Sequence, residues 1–212
     1  MIYCMSDIHG DERRFCRMLR QIDFGPQDHL YILGDVIDRV PGGVSILQWV
    51  MEQPNITLLR GNHEQMCLDA MGPHQKPYAR ELWLGNGGDC TYAELVYLCA
   101  PQARRRILEY LEQLPDHAWV EVKKRRFHLV HAWPSDDPHQ RLWSRPALDQ
   151  PSPLPGVTVI VGHTPVWFLT GCLEGPGSIF HAPGFIDIDC GCGCKGHRLG
   201  CLRLDDMAEF YE

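Results

Sequence analysis

Short apolar runs alternate with amphipathic stretches in the first third of the chain. The apolar runs at residues 1–6, 29–33 and 56–59 predict buried β-strands. Between them, residues 11–22 and 44–51 repeat apolar side chains at helical spacing. This β-α-β-α-β order predicts parallel pairing of the three strands, with the helices packed on the outer face of the sheet.

The rest of the chain changes from a helical pattern to a strand pattern. Residues 64–114 predict a helical insert, which is interrupted by a glycine-rich turn at 84–89 and ended by Pro115. Residues 117–122 and 127–131 flank a basic turn and predict an antiparallel hairpin. The remaining predicted strands are 157–161 and a closing antiparallel set at 179–182, 185–189 and 199–204.

The bulk composition narrows the class of protein. At 212 residues, 44% hydrophobic and 22% charged, the chain fits one globular domain that spans residues 1–212. Its formal net charge of −7 argues against a nucleic-acid binder with a broad basic surface. We find no signal-peptide pattern and no stretch near the roughly 18 apolar residues of a membrane span. We therefore expect a cytoplasmic protein without a membrane partner, whose ten cysteines are reduced thiols.

Five short polar motifs follow apolar, strand-like runs. They are Asp7-Ile8-His9-Gly10, Gly34-Asp35-Val36-Ile37-Asp38-Arg39, Gly61-Asn62-His63-Glu64, His131, and Gly162-His163-Thr164. Each motif alone is weak, because an Asp or a His at a strand end is commonly an ordinary turn residue. The ordered set is more informative, because ligands of open α/β sheets bind beyond the carboxyl ends of the strands, where these motifs can meet.

The residue types in the motifs suit a site for two divalent metal ions. Asp7 and His9 are two residues apart in an extended segment, so both side chains can point the same way. The carboxylate of Asp35 can bridge two ions held roughly 3.5–4 Å apart, as in two-metal phosphoryl-transfer sites. The residues that would complete the coordination of the second ion are Asn62, His131 and His163. Such mixed nitrogen and oxygen ligation favours Mn, Fe or Zn over Ca or Mg alone.

These motifs resemble the signature of the calcineurin-like metallophosphoesterases, which is D-x-H, G-D-x-x-D-R, G-N-H-[DE], H and G-H-T. Every element is intact, and the resemblance extends from Asp7 to about Leu204. Further features are similar to the phosphoprotein phosphatase branch, and in particular to its compact bacterial and phage Ser/Thr phosphatases. They are Glu64, the pair Asp38-Arg39, the stretch Trp143-Ser144-Arg145, and residues 83–88, which match a W-x-x-N-G-G element.

The resemblance implies a fold, a ligand set and a reaction. The fold would be α/β, with two mixed β-sheets in a sandwich flanked by helices and residues 64–114 as a helical cap. One metal ion would be held by Asp7, His9 and Asp35, and the other by Asp35, Asn62, His131 and His163. Mn²⁺ is the favoured metal, with Fe or Zn as alternatives. A metal-bridging hydroxide would attack phosphorus, His63 would be the general acid, and Asp38 would orient it. The substrate phosphate would be bound by Arg39 and Arg145.

We therefore expect a two-metal phosphomonoesterase that acts on phosphoserine and phosphothreonine in proteins. A second hypothesis keeps the site but changes the substrate to nucleotides or dinucleoside polyphosphates. Glu64, where other members have Asp, favours the first hypothesis only modestly. A third hypothesis is a binding scaffold without catalysis, which is disfavoured because no candidate ligand is missing.

Some features depart from the pattern or lie outside it. Val40 replaces the glycine that usually follows the Asp-Arg pair, and a β-branched residue tolerates positive φ poorly, so we expect the local turn to differ. The run Cys190-Gly191-Cys192-Gly193-Cys194 lacks the C-x₂-C spacing of zinc ribbons, and a structural role is favoured over metal binding or redox sensitivity. We expect Asp11 to cap a helix, and we do not assign Asp187 and Asp189 to the metals.

Overall fold

Two five-stranded β-sheets lie face to face between helices in the computed structural model, which describes residues 1–172 and 175–212. The strands are β1 (Ile2–Met5), β2 (His29–Ile32), β3 (Ile56–Leu58), β4 (His117–Val122), β5 (Arg125–Val130), β6 (Thr158–Val161), β7 (Phe180–His181), β8 (Phe185–Asp187), β9 (Gly200–Arg203) and β10 (Glu209–Tyr211). The helices are α1 (Glu12–Gln21), α2 (Gly43–Val50), α3 (Asn62–Met71), α4 (Ala79–Trp83), α5 (Asp89–Ala93), α6 (Pro101–Gln113), α7 (Pro138–Trp143) and α8 (Val166–Thr170). Two π-helical turns, Leu84–Gly88 and Glu94–Leu98, follow α4 and α5. Both sheets are mixed, which confirms the predicted fold class.

The first sheet has the strand order β10-β9-β1-β2-β3. β1, β2 and β3 pair in parallel, as the alternation of strands and helices predicts, with Met5 opposite Ile32 and Ile32 opposite Leu58. β9 pairs antiparallel with β1, and β10 pairs antiparallel with β9. The carboxyl ends of the three parallel strands therefore lie at the same edge of the sheet, and three of the polar motifs begin there.

The second sheet has the strand order β4-β5-β6-β8-β7. β5, β6 and β8 are parallel, and β4 and β7 are antiparallel to their neighbours. The predicted hairpin around the basic turn is present, and its turn residues Lys123 and Lys124 have φ angles of 49° and 68°. β5 and β6 thus bring the last two motifs to one edge of this sheet.

Apolar side chains of the two sheets meet in a buried layer between them. Cys4 and Leu33 from the first sheet's side pack there with Phe127, Leu129 and Ile160 of the second sheet. Neighbouring residues along each strand point to the opposite face. On the other face of the first sheet these residues pack against the helices α1, α2 and α3. The core therefore fixes both sheets rigidly beneath the loops that carry the motifs.

Two helix starts are fixed by carboxylates. Asp11 caps α1 as predicted, because its side chain accepts a hydrogen bond from the backbone N–H of Arg14 at 3.0 Å. The start of α2 is held from a distance, since Glu94 accepts from the backbone N–H groups of Gly42 and Val44 at 2.6 and 3.2 Å. This ties the helical segment 64–114 to the loop before α2. None of the helices in the described ranges is long and apolar enough to cross a bilayer.

The prediction of a single closing antiparallel set is wrong. β7 and β8 belong to the second sheet, whereas β9 inserts beside β1 in the first. Apolar alternation indicates that each segment is a strand, but it does not identify the partner strand. α7, α8 and β10 were not predicted, because helices of six and five residues are too short to show a helical period and the residues of β10 do not form an apolar run.

Candidate active site

The five motifs meet where the parallel strands end. The residues of interest after β1, β2, β3, β5 and β6 are, in that order, Asp7, Asp35, Asn62, His131 and His163. Two hydrogen bonds tie the loops of one sheet to those of the other. The backbone N–H of His163 donates to Asp7 Oδ2 at 2.9 Å, and Nδ1 of His131 donates to the carbonyl of Leu33 at 2.7 Å. Segments that are far apart in sequence thus form one buried cluster.

Several loop residues adopt a strained backbone conformation. Left-handed φ angles occur at Asp7 (54°), His9 (48°), Asp35 (55°), Asp38 (74°), Arg39 (68°) and His163 (66°). Such conformations cost an L-residue about 1–3 kcal/mol and persist where the surrounding structure enforces them. Val40 is outside this set, and the nearby left-handed glycines are Gly10 and Gly42, so its β-branched side chain adds no such strain.

Two glycines let the motifs approach each other closely. A Cβ atom on Gly61 would lie 2.1 Å from Asp35 Oδ1, and one on Gly162 would lie 2.4 Å from Asp7 Oδ2. Any side chain at these positions would displace a carboxylate that belongs to the cluster. The glycines therefore serve close packing, and their conformational freedom is not required.

Glu64 fastens two of the motif loops together. It is fully buried, and its Oε2 accepts hydrogen bonds from the backbone N–H groups of Asp35 and Gly61 at 2.8 and 2.9 Å. Its Oε1 accepts from the backbone N–H of Val36 at 2.9 Å. Because both oxygens accept hydrogen bonds from the backbone, Glu64 is not placed to bind a substrate. It positions the loops that carry Asp35 and Asn62.

The first group of potential ligands surrounds an imidazole nitrogen without a partner. His9 Nε2 lies 3.8 Å from Asp7 Oδ1 and 3.8 Å from Asp35 Oδ2. It is buried and makes no hydrogen bond with any residue in the described part of the chain. Nδ1 of His9 donates to the carbonyl of Ile37 at 3.1 Å, which leaves the Nε2 lone pair directed at the two carboxylates.

The second group shares Asp35 with the first. His131 Nε2 lies 3.5 Å from Asp35 Oδ1 and 2.9 Å from Asn62 Oδ1, and His163 Nδ1 lies 3.0 Å from the same Asn62 oxygen. The ligand atoms of Asp35, His131 and His163 all lie within 4.8 Å of one another, and so do those of His9, Asp35 and His63. The geometry therefore brings together all six predicted ligands, with Asp35 common to both groups.

The protonation states in this cluster fit divalent cations. Burial raises the pKa of Asp35 well above its usual value, although the neighbouring His63 opposes this shift. Burial lowers the pKa of His9 well below its usual value and lowers that of His163 to about 2. The imidazoles of His9 and His163 are therefore neutral, as metal ligands must be, and the buried Asp35 carboxylate needs a nearby cation to keep its charge. The unpartnered His9 Nε2 and the buried oxygen and nitrogen atoms around it fit two divalent ions of the type bound by mixed nitrogen and oxygen ligands.

His63 and Asp38 form a hydrogen-bonded pair beside the cluster. His63 Nδ1 donates to Asp38 Oδ2 at 2.7 Å, and His63 Nε2 lies 3.8 Å from Asp35 Oδ2. Burial alone would lower the pKa of His63, but the charge of Asp35 and the hydrogen bond to Asp38 outweigh it, and the pKa is raised. With Nδ1 bonded to a carboxylate and Nε2 facing the shared ligand Asp35, this imidazole is arranged for proton donation.

The two arginines lie at the exposed rim of the same cluster. Arg39 Nη1 contacts Cys194 Sγ at 3.8 Å, and Arg145 Nη1 donates to Thr164 Oγ1 at 3.3 Å. Burial and a neighbouring imidazole are the larger causes that lower the pKa of His9 and of His163, and the charges of Arg39 and Arg145, respectively, lower them further. Both guanidinium groups are therefore close enough to the cluster to act on an anion bound there.

Carboxylates and thiols outside the motifs form hydrogen bonds with backbone groups, which indicates a structural role. Asp187 Oδ1 accepts from the backbone N–H of Asp189, and Asp189 Oδ1 accepts from that of Gly191, each at 2.9 Å. Burial raises the pKa of both carboxyl groups well above the usual value. Cys192 Sγ donates to the carbonyl of Ile8 at 3.3 Å. Within residues 1–172 and 175–212, no cysteine joins a group of three potential metal ligands.

Sequence reasoning missed three residues that hold the site. The sequence identifies Glu64 only as a family marker and assigns no role to the segment around Trp83. Trp83 Nε1 donates to Asp38 Oδ2 at 2.8 Å, and Thr91 Oγ1 accepts from the backbone N–H of Asp38 at 2.9 Å. No spacing rule connects a helix near residue 83 to a loop at residue 38. The W-x-x-N-G-G element at residues 83–88 is the local signal, and it marks the segment without identifying Asp38 as its partner.

The fold, together with the two ligand groups that share Asp35, is that of a metal-dependent phosphoester hydrolase. The family model for calcineurin-like phosphoesterases matches residues 1–184. The chain therefore belongs to the calcineurin-like phosphoesterases, and the resemblance read from the motifs is confirmed.

Individual relatives carry two different activities in their names. The chain is 34% identical over 157 residues to serine/threonine-protein phosphatase 1 of Salmonella typhimurium, an alignment that covers 69% of each chain. It is 37% identical over 89 residues to serine/threonine-protein phosphatase 2 of Escherichia coli, which covers 42% of this chain and 38% of that protein. It is also 38% identical over 65 residues to the symmetrical bis(5'-nucleosyl)-tetraphosphatase of Chromobacterium violaceum, covering 30% of this chain and 24% of that protein.

Solved structures of low sequence identity share the fold. A protein serine/threonine phosphatase from Saccharomyces cerevisiae aligns with a TM-score of 0.66 at 15% identity, covering 100% of this chain and 78% of that one. A structure described as a putative diadenosine tetraphosphatase aligns with a TM-score of 0.65 at 17% identity, covering 100% of this chain and 92% of that one. At such identities the likeness concerns the fold alone.

Proposed function

We propose that the protein is a two-metal phosphomonoesterase that removes phosphate from phosphoserine and phosphothreonine in proteins. The observation that carries the reaction class is the His63–Asp38 pair, which lies beside two ligand groups that share Asp35. A site with metal ligands alone would bind metal ions without catalysing a reaction. A site with a proton donor and two arginines at its rim has every group that ester hydrolysis requires.

The proposed reaction assigns one task to each group. Two divalent ions, for which we propose Mn²⁺, would neutralise phosphate charge and make bound water a nucleophile near neutral pH. Arg39 and Arg145 would hold phosphate oxygens by paired hydrogen bonds. His63 would give its Nε2 proton to the leaving oxygen as the phosphorus–oxygen bond breaks, and Asp38 would keep the opposite nitrogen protonated and the ring in place.

The substrate class rests on the extent of the relatives. The match to serine/threonine-protein phosphatase 1 covers 69% of that protein, whereas the tetraphosphatase match from Chromobacterium violaceum covers 24%. Dinucleoside tetraphosphates are therefore the second candidate substrate. For the setting of the reaction we propose the cytoplasm, since buried free thiols such as Cys4, Cys67 and Cys201 suit a reducing compartment.

We further propose a single catalytic domain at residues 1–212, with the helical segment 64–114 as a cap beside the cleft. Glu94 bonds to the start of α2, and the backbone N–H of Arg39 donates to the carbonyl of Gly87 at 2.8 Å. These bonds join the helical segment to the loop of the second motif. The expected partner is a phosphoprotein or a phosphorylated small-molecule substrate, and the net charge of −7 argues against nucleic acid.

A substrate panel with added Mn²⁺ tests the proposal. We expect hydrolysis of phosphoserine and phosphothreonine peptides to exceed that of diadenosine tetraphosphate and of bis-p-nitrophenyl phosphate by at least about tenfold in kcat/KM, a difference of about 1.4 kcal/mol in transition-state binding. Faster turnover of diadenosine tetraphosphate would transfer the assignment to the second candidate. Complete inactivity on every ester, p-nitrophenyl phosphate included, would leave only a binding scaffold.

A further inference from the structure

A buried tryptophan outside the polar motifs shares the carboxylate oxygen that holds His63. Trp83 is fully buried at the end of α4, and its Nε1 donates to Asp38 Oδ2 at 2.8 Å. His63 Nδ1 donates to the same oxygen at 2.7 Å. The three side chains form a chain of donors and acceptor that links the helical segment 64–114 to the candidate acid.

The second oxygen of this carboxylate contributes no restraint. Asp38 Oδ1 is buried and has no hydrogen-bond partner within the described part of the chain. The orientation of the carboxylate is therefore fixed at Oδ2 alone, by His63 and Trp83. If Trp83 is removed, His63 is the one side-chain hydrogen-bond partner left to this carboxylate among the described residues. The carboxylate can then rotate together with the imidazole and no longer fixes its direction.

The rest of the segment 83–91 packs against the indole and holds the backbone of Asp38 and Arg39. A Cβ atom on Gly88 would lie 2.4 Å from Trp83 Nε1, so the glycine lies directly against the indole. Thr91 Oγ1 accepts the backbone N–H of Asp38, and the carbonyl of Gly87 accepts that of Arg39. Both residues of the Asp-Arg pair, which have left-handed φ angles of 74° and 68°, are thus held by residues 83–91.

We propose that Trp83 is a positioning residue for the general acid, acting through Asp38 on the direction in which His63 presents its proton. This inference rests on the proposed phosphomonoesterase activity. It predicts an effect that depends on the leaving group. Phenoxide, a base like the tyrosinate ion with a conjugate acid of pKa about 10, needs a proton as it leaves, whereas p-nitrophenolate is a far weaker base and needs it less.

The test compares two esters in wild type and in Trp83→Phe, which keeps an aromatic ring and removes the N–H donor. We expect kcat for phenyl phosphate to fall about tenfold, the low end of what a hydrogen bond to a charged group changes, and kcat for p-nitrophenyl phosphate to fall less than about threefold. KM and bound Mn²⁺ should stay at wild-type values. An equal loss on both esters, or no loss on either, would overturn the inference.

Two further variants separate positioning from packing. Gly88→Ala should push the indole off Asp38 and reproduce the leaving-group dependence, which keeps the test valid if Trp83→Phe does not fold. Tyr92→Leu is the matched control, because the Tyr92 ring packs edge-on against Trp83 at 6.3 Å and its hydroxyl accepts a hydrogen bond from Arg80, not one that involves Asp38. It should lower the melting temperature without changing the ratio of the two rates. A changed ratio in Tyr92→Leu would contradict the proposed route.

A double-mutant cycle tests the route through the carboxylate. In an Asp38→Asn background, Trp83→Phe should cost less than about twofold on phenyl phosphate, because the oxygen through which it acts is already altered. A full tenfold loss in that background would show that Trp83 acts elsewhere. If wild type hydrolyses neither ester with Mn²⁺, the proposed function itself fails; if wild type is active and only the ratio is unchanged, only the role of Trp83 fails.

Discussion

Glu64→Gln should weaken the fold and both metal positions together. The carboxylate accepts three backbone N–H groups, from Asp35 and Gly61 at Oε2 and from Val36 at Oε1. Glutamine keeps the length but presents one amide oxygen and one NH₂ group. If the amide oxygen takes the Oε2 position, the N–H of Val36 faces another donor and stays unsatisfied in a fully buried place.

The magnitude follows from these bonds. Losing one charge-assisted hydrogen bond costs roughly 1.5–3 kcal/mol, and a buried donor left without a partner costs roughly 1–3 kcal/mol more. Removing a buried charge relieves part of this loss. We expect the free energy of unfolding to fall by about 2–4 kcal/mol, and the affinity for Mn²⁺ to fall at least about tenfold, because Asp35 and Asn62 lie on the released loops.

Urea unfolding in chelator measures the first quantity, and calorimetric titration with Mn²⁺ measures the second. Glu64→Asp keeps the charge but is one methylene shorter, so it should fall between wild type and Glu64→Gln. Glu52→Gln is the matched control at an exposed position, where a change within about 0.5 kcal/mol is expected. If Glu64→Gln unfolds at the wild-type urea concentration and binds Mn²⁺ with wild-type affinity, the assigned role of Glu64 is refuted.

Four other predictions concern single positions. His63→Asn should lower kcat by about 10²–10⁴-fold while both metals stay bound, as checked by kinetics and metal analysis. Asp35→Asn should lower metal content at both positions, and two full equivalents by metal analysis would contradict the shared ligand. Gly193→Ala should weaken one of the two Mn²⁺ equivalents in a titration, because its Cβ would lie 2.6 Å from His9 Cβ and the φ angle is +83°. Burial lowers the pKa of His128 from 6.5 to about 4, so the unfolded chain takes up a proton first and stability is lost as pH falls through that window. His128→Gln should flatten this loss between pH 7 and pH 5 in urea titrations, and an unchanged slope would contradict the assignment.

Patterns with a local period were sufficient for much of the fold. The strands β1, β2 and β3 and the helices α1 and α2 follow from apolar spacing over consecutive residues, and their parallel order follows from chain connectivity. The same patterns could not place β9, because its apolar alternation suits either sheet. Its partner is set by long-range packing of Leu202 and Leu204 with Cys4 and Leu33 in the layer between the sheets.

The candidate site could be predicted for a similar reason. Asp7 and His9 are recognised as candidate ligands by their residue type and their position after a strand, and the sheet geometry predicts that such residues lie close together. Trp83 and Thr91 act by single hydrogen bonds across about fifty residues of chain, and nothing local specifies such a contact. Glu64 was visible in sequence, but its task was not, since three backbone donors become its partners only after β2 and β3 pair.

The distribution of the ligands over the two sheets has a mechanical consequence. The first sheet carries Asp7, Asp35 and Asn62 at the ends of its strands, and the second sheet carries His131 and His163. Bound ions would therefore act as a cross-link between two halves that are otherwise joined mainly by an apolar layer. A ligand present at 100 times its dissociation constant adds about 2.7 kcal/mol to the native state, so metal supply would set how firmly the two sheets are clamped. Without bound ions, the same chain would lose this contribution to the stability of the native state.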